Sequence, residues 1–194
     1  MVAYHCDANA IIAVTFKSRK EKDRMLTYNT IMQRLKDGNM LVNLPILGNE
    51  ARKECKKIIK DKWNIKYQLV PSHIHRQNSD KRTIRTFEEN FLSILAGVAD
   101  DLPRRHCEKL LPQAELTLNL LHQLIIQPEL SAWTFLMGAF NYDPTPLGTL
   151  GCQVIIHKKT SNRNSWDFCS KEGWSVGMSF EHYHCQLVIP SDTR

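Results

Sequence analysis

Two apolar runs open the chain, Val2–Cys6 and Ala10–Phe16, with Asp7-Ala8-Asn9 between them. Short runs joined by turn-forming residues predict a β-hairpin. The charged run KSRKEKDR (Lys17–Arg24) then opens a helix to about Lys36, with Leu26, Ile31, Met32 and Leu35 near helical spacing and Gly38 ending it. Met40–Leu47 predicts a strand, and Pro45, which lacks an N–H, puts it at an edge or a strand end. Gly48-Asn49 turns the chain into a helix over Glu50–Lys62, whose apolar minority is Ala51, Cys55, Ile58 and Ile59. Ile65–Val70 predicts a strand stopped by Pro71. A helix follows from Ser79 or Asp80 to about Val98, with Ile84, Phe87, Phe91, Ile94, Leu95 and Val98 on one stripe.

Asp100-Asp101-Leu102-Pro103 breaks that helix. A leucine-rich helix comes next, with Ala114, Thr117, Leu118, Leu121 and Leu124 facing inward and Pro112 in its first turn or kinking it. Past Trp133–Gly138 the pattern changes. Asn141–Gly151 holds two prolines and two glycines and reads as a linker. The β-rich runs Cys152–His157, Trp174–Met178 and Tyr183–Ile189 follow, the last with Tyr183, Cys185, Leu187 and Ile189 on one face. That succession predicts a small β-barrel.

The chain has 194 residues, 42% of them hydrophobic, which suits one medium domain or a domain with a small appendage. Its net charge of +6 points to a polyanionic partner. The six cysteines are scattered without a C-x-x-C pair, and the Met1 segment has neither a basic n-region nor a long apolar run. The expectation is an intracellular protein with reduced thiols and no membrane partner. No Gly-rich phosphate loop, Ser-His-Asp order or Cys-His order stands out. His182, His184, Cys169 and Cys185 lack paired metal-ligand spacing, and strand alternation separates His182 and His184 from Cys185, so no metal site is expected there. Two basic clusters remain. Arg52, Lys53, Lys56, Lys57, Lys60 and Lys62 lie on the predicted helix 50–62, either against phosphates or as a solvated face. Arg76, Asn78, Lys81, Arg82 and Arg85 gather at the start of the next helix, whose N-terminus favours an anion.

Tyr67–Phe87 reads YQLVPSHIHRQNSDKRTIRTF: a short strand, a Pro/His/Asn loop and a basic amphipathic helix. This segment resembles the part of copia-type retrotransposon integrases that carries the last catalytic carboxylate. There the helix start reads roughly His-Arg-x-Asn-Ala-Ala-Glu-Arg-Ala-Ile-Arg-Thr-Phe. Further matches follow in collinear order. Asp7-Ala8-Asn9-Ala10-Ile11 matches a strand-turn-strand, and Leu47-Gly48-Asn49-Glu50-Ala51 matches Leu-Asp-Asn-Glu-Ala. The run Leu110–Leu121 matches a leucine-rich helix, and Leu130–Ala132 and Thr145–Leu147 fall in the expected order after it. Gly173-Trp174-Ser175-Val176-Gly177, then Glu181-His182-Tyr183, resembles Gly-Trp-Tyr-Leu-Gly followed by Glu-His-Tyr.

The resemblance implies an α/β fold: an RNase H-like integrase core over 1–138 lacking its first strand, a linker over 139–151 and a small β-barrel over 152–194. It also implies DNA integration by a retroelement polyprotein, in which three carboxylates hold two Mg²⁺ or Mn²⁺ ions that activate the attacking oxygen and stabilise the leaving one. Here the second aspartate falls on Gly48 and the glutamate on Lys81, while the first aspartate falls on a strand upstream of residue 1. Asp7, Glu50 and Asp80 are weak substitutes. Asp7 lies in a turn, Glu50 lies on a helix, and Asp80 is rotated about 100° from Lys81 towards the apolar stripe. The expectation is therefore a catalytically inactive, nucleic-acid-binding domain with no cofactor, binding DNA electrostatically through Arg76, Asn78, Lys81, Arg82 and Arg85. One alternative is a metal-dependent polynucleotidyl transferase completed by an upstream segment or a partner chain. Another is a decayed open reading frame with no selected role. In such a sheet the missing first strand leaves Val2–Cys6 and Met40–Leu47 with open edges. These either pair directly or invite self-association.

Overall fold

The computed structural model describes residues 1–18, 20–38, 40, 42–47, 56, 59–70 and 79–192, the side chains of residues 79, 80 and 162 excepted. The chain forms two compact units, Met1–Glu88 with Leu118–Ala139, and Glu89–Thr117 with Phe140–Arg194.

In the first unit β1 (Val2–His5) and β2 (Ala10–Ala13) pair antiparallel, from Val2 opposite Ala13 to His5 opposite Ala10. Asn9 makes the turn at φ 50°, a left-handed conformation that asparagine tolerates. All four residues of β2 are buried. Helix α1 (Glu21–Asp37) covers them with Thr27, Ile31, Met32 and Leu35, three- and four-residue steps that share one face. Leu26, expected on that face, is instead 67% exposed. Glu21 and Asp23 in the first turn and Arg34 and Lys36 in the last match the helix dipole. Ala132 and Leu136 of the short helix α4 (Ala132–Met137) complete this core. Ser131 caps α4 by accepting from the Thr134 N–H at 3.3 Å.

Two further strands, β3 (Ile46–Leu47) and β4 (Gln68–Leu69), pair in parallel in a sheet of their own. Among the described residues neither hairpin strand pairs with Ile46–Leu47, so the expected direct pairing does not occur. The reason lies at Ile11. On the edge of β2 away from β1, the Asn119 side chain accepts from the Ile11 N–H at 2.8 Å and donates to the Ile11 carbonyl at 2.7 Å. A primary amide presents the same donor–acceptor pair as a peptide group, so it occupies the place a neighbouring strand would take. This stretch of edge is therefore no open template for association. Asn119 belongs to helix α3 (Leu111–Leu121) and is fully buried. The next turn continues the junction: His122 Nδ1 meets the Asn9 carbonyl at 3.1 Å, and Asn9 Nδ2 donates to the Gln123 carbonyl at 2.9 Å.

In the second unit β5 (Gln153–His157), β6 (Ser170–Met178) and β7 (Gln186–Pro190) form an antiparallel sheet in that order. Among the described residues it is an open sheet, not the expected closed barrel. The third strand also starts later than the alternation suggested. His184 adopts φ 54° and its N–H donates to the Pro144 carbonyl at 2.9 Å, so Tyr183–Cys185 form a turn and the strand begins at Gln186. Trp174, Val176 and Ile189 pack with Leu102, Leu110 and Ala114, the last two from a 3₁₀ segment (Arg104–Leu110) and α3. Phe91, Ile94, Leu95 and Val98, in and just after helix α2 (Ser79–Ala96), pack against the same core. This agrees with the predicted stripe. Leu121, expected to face inward, is the last residue of α3 and 71% exposed.

The Gly173–Gly177 motif has a structural cause at each end. A Cβ at Gly173 would collide with the Ile189 carbonyl and come within 2.6 Å of Ile156 Cδ1. Gly177 sits at a register shift in the β6–β7 ladder with φ 148°, where side chains are disfavoured. Between them, the Trp174 indole N–H donates to the Asp101 carboxylate at 3.1 Å. That bond, with a second from Gln153, holds the Asp101 carboxyl below the usual carboxylate range.

Two stability outcomes follow. Asn119→Leu strands the Ile11 N–H and carbonyl in a buried site and should destabilise the fold by about 2–6 kcal/mol, at roughly 1–3 kcal/mol per unsatisfied group. A urea midpoint within error of the parent protein would remove Asn119 from this role. Gly173→Ala should cost about 1–3 kcal/mol through overpacking, read as a lower melting temperature, whereas Gly97→Ala, whose added methyl would meet only the Ile94 carbonyl at 3.6 Å, should not reproduce that loss.

Candidate nucleic-acid interface

The N-terminal half of α2 turns Thr83 and Phe87 inward, at 7% and 5% exposure, one helical turn apart. Lys81, Arg82 and Arg85 consequently stand on the exposed side, with Arg85 four and three residues after the other two. Thr86 returns its hydroxyl to the Arg82 carbonyl at 3.0 Å, which leaves the outer face to the cations. Glu88 and Glu89, both exposed, bound the cluster on its C-terminal side. The Arg82 charge is felt on the hairpin. Burial and the Cys6 thiol raise the Tyr4 phenol, and Arg82 opposes them. The Tyr4 hydroxyl is held by Asn9 Oδ1 at 3.0 Å.

The structure thus brings together Lys81, Arg82 and Arg85. Arg76, Asn78, Gly48 and Glu50 lie outside the described residues, as do Arg52, Lys53 and Lys57 of the other basic cluster. Asp80 is helical, and its side chain is not among those described. Asp7 is exposed in the hairpin turn. Within the predicted helix 50–62, Ile59 is fully buried, while Lys60 and Lys62 are exposed. The Lys62 ammonium lies 5.6 Å from the Trp63 ring, whose N–H donates to Asn29 Oδ1 at 3.1 Å. Lys62 is therefore placed by an aromatic face as well as by solvent.

A divalent metal does not fit Lys81: an ammonium repels the ion and offers no lone pair to it. Among the described residues no group of three or more His, Cys, Asp or Glu side chains is placed to hold a metal ion. His182 and His184, weighed as ligands, lie in the turn before β7, where the Tyr183 and His184 rings stack with centroids 4.0 Å apart. Among the described residues no helix is long and apolar enough to cross a membrane.

Sequence reasoning missed His5, which flanks the hairpin turn. Its Nδ1 accepts from the Ala8 N–H at 3.2 Å, and its ring lies 5.9 Å from that of Phe135. Burial lowers its pKa, with Asp7 opposing. The i to i+3 spacing of His5 and Ala8 across a turn was the available signal. It also missed the exposed aromatics of the β5–β6 loop, Trp166 and Phe168.

No protein-family model matches the chain, and no curated protein matches it by sequence. Among solved structures, it is similar to a chain in a cryo-electron microscopy structure of the simian T-cell lymphotropic virus intasome in complex with the PP2A regulatory subunit B56 gamma. The TM-score is 0.54 and the identity 14%, over 98% of this chain and 69% of that one. At that identity the likeness is one of fold. The chain is thus a mixed α/β protein whose fold resembles that of a chain in a retroviral intasome complex.

The environment of His5 makes a pH prediction. Its folded pKa lies below the ordinary 6.5, so between the two values the unfolded chain binds more protons. This contribution is therefore favourable at pH 7 and is lost as pH falls through that window. In an NMR titration the His5 ring should show a midpoint below 6.5, and a midpoint at or above 6.5 would contradict its burial.

Proposed function

We propose that this chain is an integrase-like, nucleic-acid-binding domain of a copia-type retroelement polyprotein, built on an RNase H-like core, that no longer performs strand transfer. The observation that carries the reading is the exposed trio Lys81, Arg82 and Arg85 at the start of α2, with a lysine where the resembling family has its glutamate. The similarity of fold to a chain in the simian T-cell lymphotropic virus intasome complex supports the ancestry. A helix side presenting three cations and a net charge of +6 suit a phosphate backbone, and binding through phosphates carries no sequence information, so the binding is non-specific. Duplex DNA is the partner.

Binding is tested by fluorescence anisotropy with labelled duplex DNA of unrelated sequences. If each of the three cations neutralises one phosphate, the slope of log K against log salt is about −2.7, which is roughly a 40-fold loss between 50 and 200 mM. Arg82→Glu with Arg85→Glu should flatten that slope and weaken binding at low salt. An unchanged slope would make the trio a solvated face. Chemistry is tested separately with Mg²⁺ or Mn²⁺ and a DNA end. The parent protein should give no cleavage or strand transfer. Metal-dependent cleavage by clean protein would favour the active transferase, and Gly48→Asp with Lys81→Glu tests whether returning two carboxylates returns any activity.

A further inference from the structure

Between β5 and β6 the chain runs out into a loop that bears two uncovered aromatic rings. Trp166 is 102% exposed and Phe168 86% exposed. A tryptophan held wholly in water forgoes the burial that ordinarily places this residue. The loop is nonetheless shaped. Trp166 has φ 79°, a left-handed conformation unusual for a bulky side chain, flanked by two hydrogen bonds. The Asp167 N–H donates to the Asn164 carbonyl at 3.2 Å, and the Asn164 N–H donates to Asp167 Oδ2 at 3.0 Å. Cations flank the rings in sequence: Lys158 and Lys159 before them, Arg163 within the loop and Lys171 after it. The Arg163 guanidinium lies against Cys169 Sγ and 3.4 Å from Thr160 Oγ1. Lys171 is paired with Asp192 at 3.4 Å.

We propose that this loop is a stacking site for single-stranded nucleic acid. Trp166 and Phe168 offer faces to unpaired bases, and Lys159 and Arg163 meet the phosphates that connect them. Exposed rings interleaved with cations are what a single strand needs, because every base has a stackable face and every linkage a charge. A duplex hides its base faces, so the loop selects single strands. A membrane surface fits less well: between Lys158 and Lys171 no Ala, Val, Leu, Ile or Met extends the apolar face, and besides the two rings there are only hydroxyls, amides, one thiol, Asp167, Lys159 and Arg163. This site is distinct from the α2 cations and does not rest on the proposed function.

The test uses the full chain and its own fluorescence. Trp133 and Trp174 are 7% and 6% exposed, so quenching by an added polyanion reports chiefly on Trp166. Oligothymidylate, oligouridylate, duplex DNA and phosphatidylserine-containing vesicles are titrated in parallel. Both single strands should quench the signal. Trp166→Ala should weaken single-strand binding, followed by anisotropy, at least about five-fold. Trp166→Phe should keep the affinity while removing the quench, which excludes Trp63 as its source. The proposal is overturned if Trp166→Ala binds as the parent does, if duplex binds and quenches as well as single strands, or if vesicles quench and oligonucleotides do not. The Arg82→Glu, Arg85→Glu chain should lose duplex affinity while single strands still quench Trp166 at saturation, so failure of the duplex reading and failure of this one are told apart.

Discussion

Within the first unit, one side chain takes up both outward backbone groups of the hairpin's Ile11: the Asn119 amide, 108 residues away in sequence. A two-stranded hairpin is marginal by itself, because too little of its backbone is paired. Here the second strand is wholly buried, so its outward N–H and carbonyl cannot turn to water. A helix cannot extend a strand ladder with its own backbone, which is occupied internally. An asparagine side chain can, since its amide is geometrically a detached peptide group. The same helix end adds His122 and Gln123 to Asn9, so strand edge and turn are secured by one short segment. Alanine at this position would favour the helix while losing the junction.

This device explains which parts of the fold were legible in the sequence. Hairpin, amphipathic helices and C-terminal strands follow from local periodicity, which side-chain alternation and helical repeat impose wherever one face is buried. Phe91, Ile94, Leu95 and Val98 are read correctly for that reason. What failed was non-local. The pairing of the hairpin depended on a buried polar residue in a leucine-rich helix, and hydrophobic patterning is blind to such a residue. The third strand began late because a left-handed residue at His184, whose N–H donates to the Pro144 carbonyl, ended the alternation early. Leu26 and Leu121 were misassigned because helical spacing gives a face but not what covers it.

On α2, Lys81, Arg82 and Arg85 stand on an outward side because Thr83 and Phe87 take the inward one. The β5–β6 loop was not legible: between two strands, exposed and buried aromatics look the same in sequence. Only solvent exposure separates Trp166 from Trp174, and the two have opposite physical roles. Trp174 is anchored by its N–H to Asp101 and by burial, whereas Trp166 keeps both ring faces available.

The motif positions divide along the same line. Gly173 is required because its neighbours leave no room for a Cβ, Gly177 because the ladder shifts there, and Trp174 because it fills the second core. These positions make the fold. Under the proposed function, Gly48 and Lys81 are the positions where the resembling family has metal-binding carboxylates. A carboxylate that holds a metal contributes to chemistry and is not needed for packing. Under the same reading, lysine at position 81 goes further than loss: on an exposed helix side beside Arg82 and Arg85 it adds positive charge where the family has a carboxylate. Under the proposed function, binding strengthens by the same substitution that removes catalysis.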